Sequence, residues 1–160
     1  MNKYVIALLL AIVLALGSYA YKASHSKSLA SFPIKEFAKE NEGPTLFLFL
    51  FFSRRTCAPC LGFIELLNAL PARYKVVGLV PKDDLSDEDW LRKMTGARFE
   101  LRSSEPYKKH VPNCNPTLVG VNNKGQVLFV MPGFPNTQSY LADFLETLYN
   151  RTISHMFEQR

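Results

Sequence analysis

Three cysteines carry most of the chemistry open to this chain: Cys57, Cys60 and Cys114. Cys57 and Cys60 stand in a Cys-Ala-Pro-Cys run directly after "FLFLFFSRRT". Thiols at that spacing can form a staple, hold a metal or cycle as a redox couple. A staple gains little here, because a disulfide between them closes a tiny loop and hardly constrains the unfolded chain. A structural zinc site needs a second ligand pair. The remaining candidates are Cys114, His110 and His155, and Cys114 and His110 lack the spacing of one. A redox couple needs one thiolate near neutral pH and a second thiol close enough to resolve a mixed disulfide. Cys57 falls where an apolar strand gives way to a helix. Unpaired N–H groups and the positive end of the helix dipole favour a thiolate there. Cys60 is one turn further on, and Pro59 sits in the first turn, where its missing N–H costs nothing. Arg54 and Arg55 add to the effect if they face the site.

The second constellation is "NCNPT", Asn113–Thr117. Pro116 precedes an apolar strand. It reads either as a plain turn residue or as a cis proline facing the cysteines and presenting a backbone edge to an extended substrate. Cys114 reads as a free, partly buried thiol, or as a third redox cysteine or metal ligand. His110 reads as a loop histidine or as a ligand.

The elements that position these residues follow from periodicity. "TLFLFLFF" is continuously apolar and short, a strand buried on both faces. After Cys60, Leu61, Ile64, Leu67 and Leu70 recur at helical spacing and Pro71 limits the run. "KVVGLVP" is a second buried strand. Ser86 heads "SDEDWLRKMTG" as a cap, with Asp87, Glu88 and Asp89 in the first turn and Gly96 at the end. "RFELRSSEPYKKHVPNCNP" is largely irregular with one short extended piece. "TLVGVNNKGQVLFVMPG" is a hairpin around Asn-Lys-Gly. Tyr140, Phe144 and Leu148 form the stripe of a last helix. Ahead of the first strand, Ile34, Phe37 and Ala38 share one helical face and Pro33 opens it. A parallel pair joined by a crossover and followed by a hairpin makes an α/β sandwich of roughly four strands, a mixed sheet with helices on both faces.

The N-terminus is of another kind. Lys3 precedes an apolar run from Tyr4, and Gly17, Ser18 and Ala20 follow. This fits a cleaved secretory leader or an uncleaved anchor at the short end of what spans a bilayer. The division expected is residues 1–21 as leader or anchor, 22–34 as linker, 35–150 as the domain and 151–160 as a tail. Either fate puts the domain on the outer side of a membrane, where thiols oxidise. The net charge of +5 is uneven: Lys3, Lys22 and Lys27 stand against no acid in residues 1–30, which leaves 16 basic and 14 acidic residues beyond. A nearly balanced domain lacks the basic face that nucleic-acid binding requires.

"CAPC" after a buried strand, Pro-Thr opening a hairpin, Lys-Gly at its turn and Gly133 after it resemble the thioredoxin superfamily. With the N-terminal apolar segment, the chain looks most like the tethered or exported thiol–disulfide oxidoreductases of the bacterial envelope, over about residues 35–150. The resemblance implies a thioredoxin-like three-layer sandwich with a mixed four- to five-stranded sheet, plus the N-terminal apolar helix. It implies Cys57 as nucleophile, Cys60 as resolving thiol and Pro116 as a cis proline, with Asn115 and Thr117 lining the substrate groove. It implies no cofactor, protein thiol or disulfide substrates, a redox partner protein, and a place at the inner membrane facing the periplasm, or in the periplasm after cleavage. The chain departs from the family at three positions. Thr56 stands where an aromatic residue is usual, the first strand carries no acid, and Glu65 replaces a helix proline. Glu65 is either a proton-transfer partner or a solvated helix acid. The alternative function on the same fold is a metallochaperone holding Cu(I) or another soft ion through Cys57, Cys60 and Cys114 or His110. The direction of the redox reaction is open.

Overall fold

A computed structural model describes residues 31–38, 45–55, 61–111, 116–133 and 138–157. The apolar segment expected as leader or anchor lies outside them, as do Cys57, Cys60, Cys114 and Asn115. Among the described residues, no helix is long and apolar enough to cross a membrane.

Strand β1 (Leu46–Phe51) is the centre of the fold, and all six of its residues are buried. Its alternation of leucine and phenylalanine sorts the two sides of the sheet, because successive side chains point to opposite faces. Leu46, Leu48 and Leu50 join one core with Ile64, Leu67, Leu91, Leu118, Leu141 and Leu145. Phe47, Phe49 and Phe51 join the other with Phe32, Phe37, Val77, Leu79 and Tyr107. In that second core the Phe32 ring lies 4.4 Å from Phe49 and 5.4 Å from Tyr107. The unbroken apolar run is thus a strand covered on both sides, as its composition predicts.

Strands β2 (Tyr74–Val80), β3 (Glu100–Ser103), β4 (Thr117–Val121) and β5 (Val127–Pro132) complete a five-stranded sheet in the order β3-β2-β1-β4-β5. β2 runs parallel to β1 and β3 parallel to β2, whereas β4 and β5 are antiparallel. Helices α2 (Leu61–Asn68), α4 (Glu88–Thr95) and α5 (Gln138–Phe157) cover the leucine face. Helix α1 (Lys35–Ala38) and a 3-10 helix (Glu105–His110) lie on the phenylalanine face, and a one-turn helix α3 (Lys82–Leu85) follows β2. The result is the three-layer, mixed-sheet α/β sandwich expected, with five strands. The β4–β5 turn is drawn tight by Asn122, whose side-chain oxygen accepts the N–H groups of Lys124 and Gln126 at 3.0 Å each. Gly125 completes it at φ 80°, a conformation that favours glycine.

Several local expectations are corrected. Ser86 does not cap α4: its hydroxyl donates to the Asp83 carbonyl at 2.6 Å, and Asp87 caps instead by accepting the Trp90 N–H at 3.3 Å. The unforeseen α3 uses Ser86 as its own C-terminal residue, which displaces the cap by one position. Tyr140 is 58% exposed, and the buried stripe of α5 is Leu141 and Leu145 with Phe144 and Leu148 beside it. The irregular stretch resolves into β3 and the 3-10 helix. Ahead of α1, Phe32 is buried and donates its N–H to the Gly125 carbonyl at 2.8 Å. Helix α5 runs to Phe157.

Candidate active site at the end of the central strand

Strand β1 ends at Phe51 and the described part of α2 begins at Leu61, so in the sequence the Cys57–Cys60 segment lies between the two. This strand, motif, helix order is the one the chemistry requires. The exit is held in place step by step. Phe52 is 1% exposed and donates its N–H to the Leu79 carbonyl at 3.1 Å, extending the pairing with β2. Ser53 follows, and Arg54–Arg55 form a turn. The Asp84 carboxylate accepts the Arg54 backbone N–H at 2.8 Å through Oδ2 and pairs with Arg54 Nε at 3.0 Å through Oδ1. The Asp84 side chain is 6% exposed and that of Arg54 53%.

Strand β4 brings the proline to the same end of the sheet. Thr117 lies opposite Phe51 in the antiparallel register, and Pro132 of β5 faces Thr117 from the other side. Pro116 therefore stands next to the point where the Cys57 segment departs. Pro116 is buried, and its carbonyl accepts the Gly133 N–H at 2.7 Å. Thr117 is fully buried in the ladder. Of the residues singled out from the sequence, the structure thus brings Pro116 and Thr117 to the C-terminal end of β1. Cys57, Cys60, Asn115 and Cys114 lie outside the described residues.

The other candidates are distributed differently. Glu65 is exposed on α2, as a solvated helix acid would be. His110 ends the 3-10 helix, its ring 5.7 Å from that of Phe32, and its buried Nδ1 has no hydrogen-bond partner among the described residues. Burial, with a smaller contribution from Lys109, holds its pKa below the ordinary histidine value. Among the described residues, no group of three His, Cys, Asp or Glu side chains could hold a metal ion. A cleft of about 1020 Å³ opens near Phe32, Ile34, Leu101 and Tyr107, and none of Arg54, Asp84, Pro116 or Thr117 lines it.

Asp84 is the residue that sequence reasoning misses. Strand β1, ahead of the Cys-Ala-Pro-Cys run, is wholly apolar and supplies no acid. The structure delivers a buried acid to the same exit from a different element, α3. In "KDDLSDED" nothing distinguishes Asp84 from its neighbours. Only the burial of one face of a single helical turn does so.

No family model matches the sequence, and no curated protein matches it. Solved structures do. A thiol:disulfide interchange protein of the thioredoxin family from Chlorobium tepidum is similar at a TM-score of 0.53 and 15% identity, over 66% of this chain and 80% of that one. StoA from Bacillus subtilis is similar at 0.52 and 20% identity, over 66% and 85%. A thiol:disulfide interchange protein from a Bacteroides species is similar at 0.52 and 14% identity, over 67% and 74%. At such identities the likeness is one of fold, and it agrees with the strand order and register described above. The chain resembles the thioredoxin superfamily, and its domain has the thioredoxin-like fold.

Proposed function

We propose that this protein is a thiol–disulfide oxidoreductase of the bacterial cell envelope, working through Cys57 and Cys60. The observation that carries the reading is that the Phe51–Thr117 register sets Pro116 at the end of β1, the strand that the Cys-Ala-Pro-Cys run follows in the sequence, ahead of α2. The fold similarity to thiol:disulfide interchange proteins supports it. The Cys57 thiolate attacks one sulfur of a substrate disulfide. The substrate S–S bond breaks, a mixed disulfide forms, and the departing thiolate takes a proton from water. Cys60 then loses its proton to solvent and attacks the Cys57 sulfur. This frees the second substrate thiol and leaves a Cys57–Cys60 disulfide. Two electrons pass to the substrate, and a redox partner protein restores the dithiol. Run backwards, the same steps donate a disulfide. Pro116, flanked by Asn115 and Thr117, borders the groove for an extended protein substrate. Residues 1–21 deliver the domain to the outer side of the membrane as anchor or leader.

Insulin reduction by the full chain with dithiothreitol as electron source tests the reading. Turnover that disappears in Cys57→Ser and persists in Cys114→Ser is expected. No turnover by the wild type, together with stoichiometric retention of Cu(I), would overturn it in favour of a metallochaperone.

A further inference from the structure

We propose that the Arg54–Asp84 pair is a charge-balanced clamp that positions the turn leading into Cys57 and sets the redox poise of the Cys57/Cys60 couple. The proposal rests on the oxidoreductase reading above and deepens it. An ordinary surface ion pair joins two flexible heads and positions nothing. Here one carboxylate takes both the backbone N–H and the side-chain Nε of the same residue, at 2.8 and 3.0 Å, from thirty positions along the chain. The exit of β1 is thereby fixed at two successive points, Phe52 to Leu79 of β2 and Arg54 to Asp84 of α3. Asp84 is in turn carried on α3, whose first turn is closed by its own N–H to the Pro81 carbonyl at 3.0 Å.

The pair also decides which charge the couple feels. An uncompensated cation beside a cysteine favours its thiolate, stabilises the reduced form and makes the couple more oxidising. Arg54 is three residues from Cys57, a reach of at most about 11 Å of chain. An unbalanced unit charge there alters thiolate stability by about two- to thirteen-fold, depending on the solvent share of the path. With Asp84 in place, Arg54 is neutralised. Other charges around the pair are solvated or engaged elsewhere. Arg55, Glu65, Lys82, Asp83 and Asp87 are exposed. Glu88 pairs with Arg92, and Glu100 with Arg102.

The test is the thiol–disulfide equilibrium constant of the full chain against glutathione at pH 8. Asp84→Asn keeps an oxygen acceptor for the Arg54 N–H but frees the guanidinium. It should make the couple more oxidising, by about two- to thirteen-fold in the equilibrium constant. Arg54→Gln keeps the N–H and frees the carboxylate, and should shift the constant in the opposite direction. The double variant removes both charges and should return to within about two-fold of wild type. Opposite signs with rescue in the double variant are what a merely structural contact cannot produce. A reversible wild-type couple whose two single variants shift in the same direction, or not at all, overturns the clamp alone. A wild type with no reversible couple overturns the oxidoreductase reading and the clamp with it.

Discussion

Replacing Gly78 by alanine probes how tightly the sheet holds the approach to the site. Gly78 lies in the middle of β2, opposite Leu50 of β1 and Leu101 of β3. An added Cβ would stand 2.5 Å from Leu101 Cδ2, 2.8 Å from Phe52 Cε1 and 3.0 Å from Phe99 Cε2. These three side chains come from β3, the exit of β1 and the loop after α4, so no single rotation relieves the clash. Overpacking of this kind costs about 1–3 kcal/mol. Removing a glycine recovers about 0.4–1 kcal/mol through the unfolded chain. The expected net loss is about 1–2 kcal/mol, or about 4–8 °C in Tm for a domain of this size. Thermal unfolding followed by circular dichroism measures it. Leu101→Val trims the nearest obstacle, so the double variant should lose less than the sum of the singles. A Gly78→Ala protein as stable as wild type would refute the packing described around Phe52.

Two further outcomes follow from the corrected local structure and from His110. Asp87→Ala should cost about 1 kcal/mol in urea unfolding, as loss of a helix cap does, whereas Ser86→Ala should cost under about 0.5 kcal/mol; the reverse order would restore Ser86 as the cap. His110 has a folded pKa below its unfolded value, so the unfolded chain binds more protons and stability falls as pH drops below about 6.5. Denaturation midpoints at pH 7.5 and 5.5 should therefore differ less in His110→Gln than in wild type.

The fold was legible wherever one physical signal dominated. The Leu/Phe alternation of β1, the apolar run of β2 and the Asn-Lys-Gly turn each specify one element, and together they specify the sheet. The Phe51–Thr117 register that brings Pro116 to the Cys57 exit is a property of strand pairing between distant segments, and the motif spacing only hinted at it. What stayed hidden depended on small geometric differences. A one-turn helix after Pro81 moved the α4 cap from Ser86 to Asp87. A rotation of α5 by one residue replaced Tyr140 with Leu141. Asp84 was invisible for the same reason, since its role comes from the burial of one carboxylate among several in a polar run. The sequence leaves open whether Arg54 and Arg55 face the site, and the structure pairs Arg54 Nε with the Asp84 carboxylate at 3.0 Å.

The central claim is that Cys57 attacks and Cys60 resolves. Its most direct test is covalent trapping by the full chain carrying Cys60→Ser, incubated with an oxidised protein substrate and analysed without reductant. The account predicts a dithiothreitol-sensitive adduct joined through Cys57, absent from Cys57→Ser and unaffected by Cys114→Ser. An adduct that forms equally well in Cys57→Ser, or that is joined through Cys114, would contradict it.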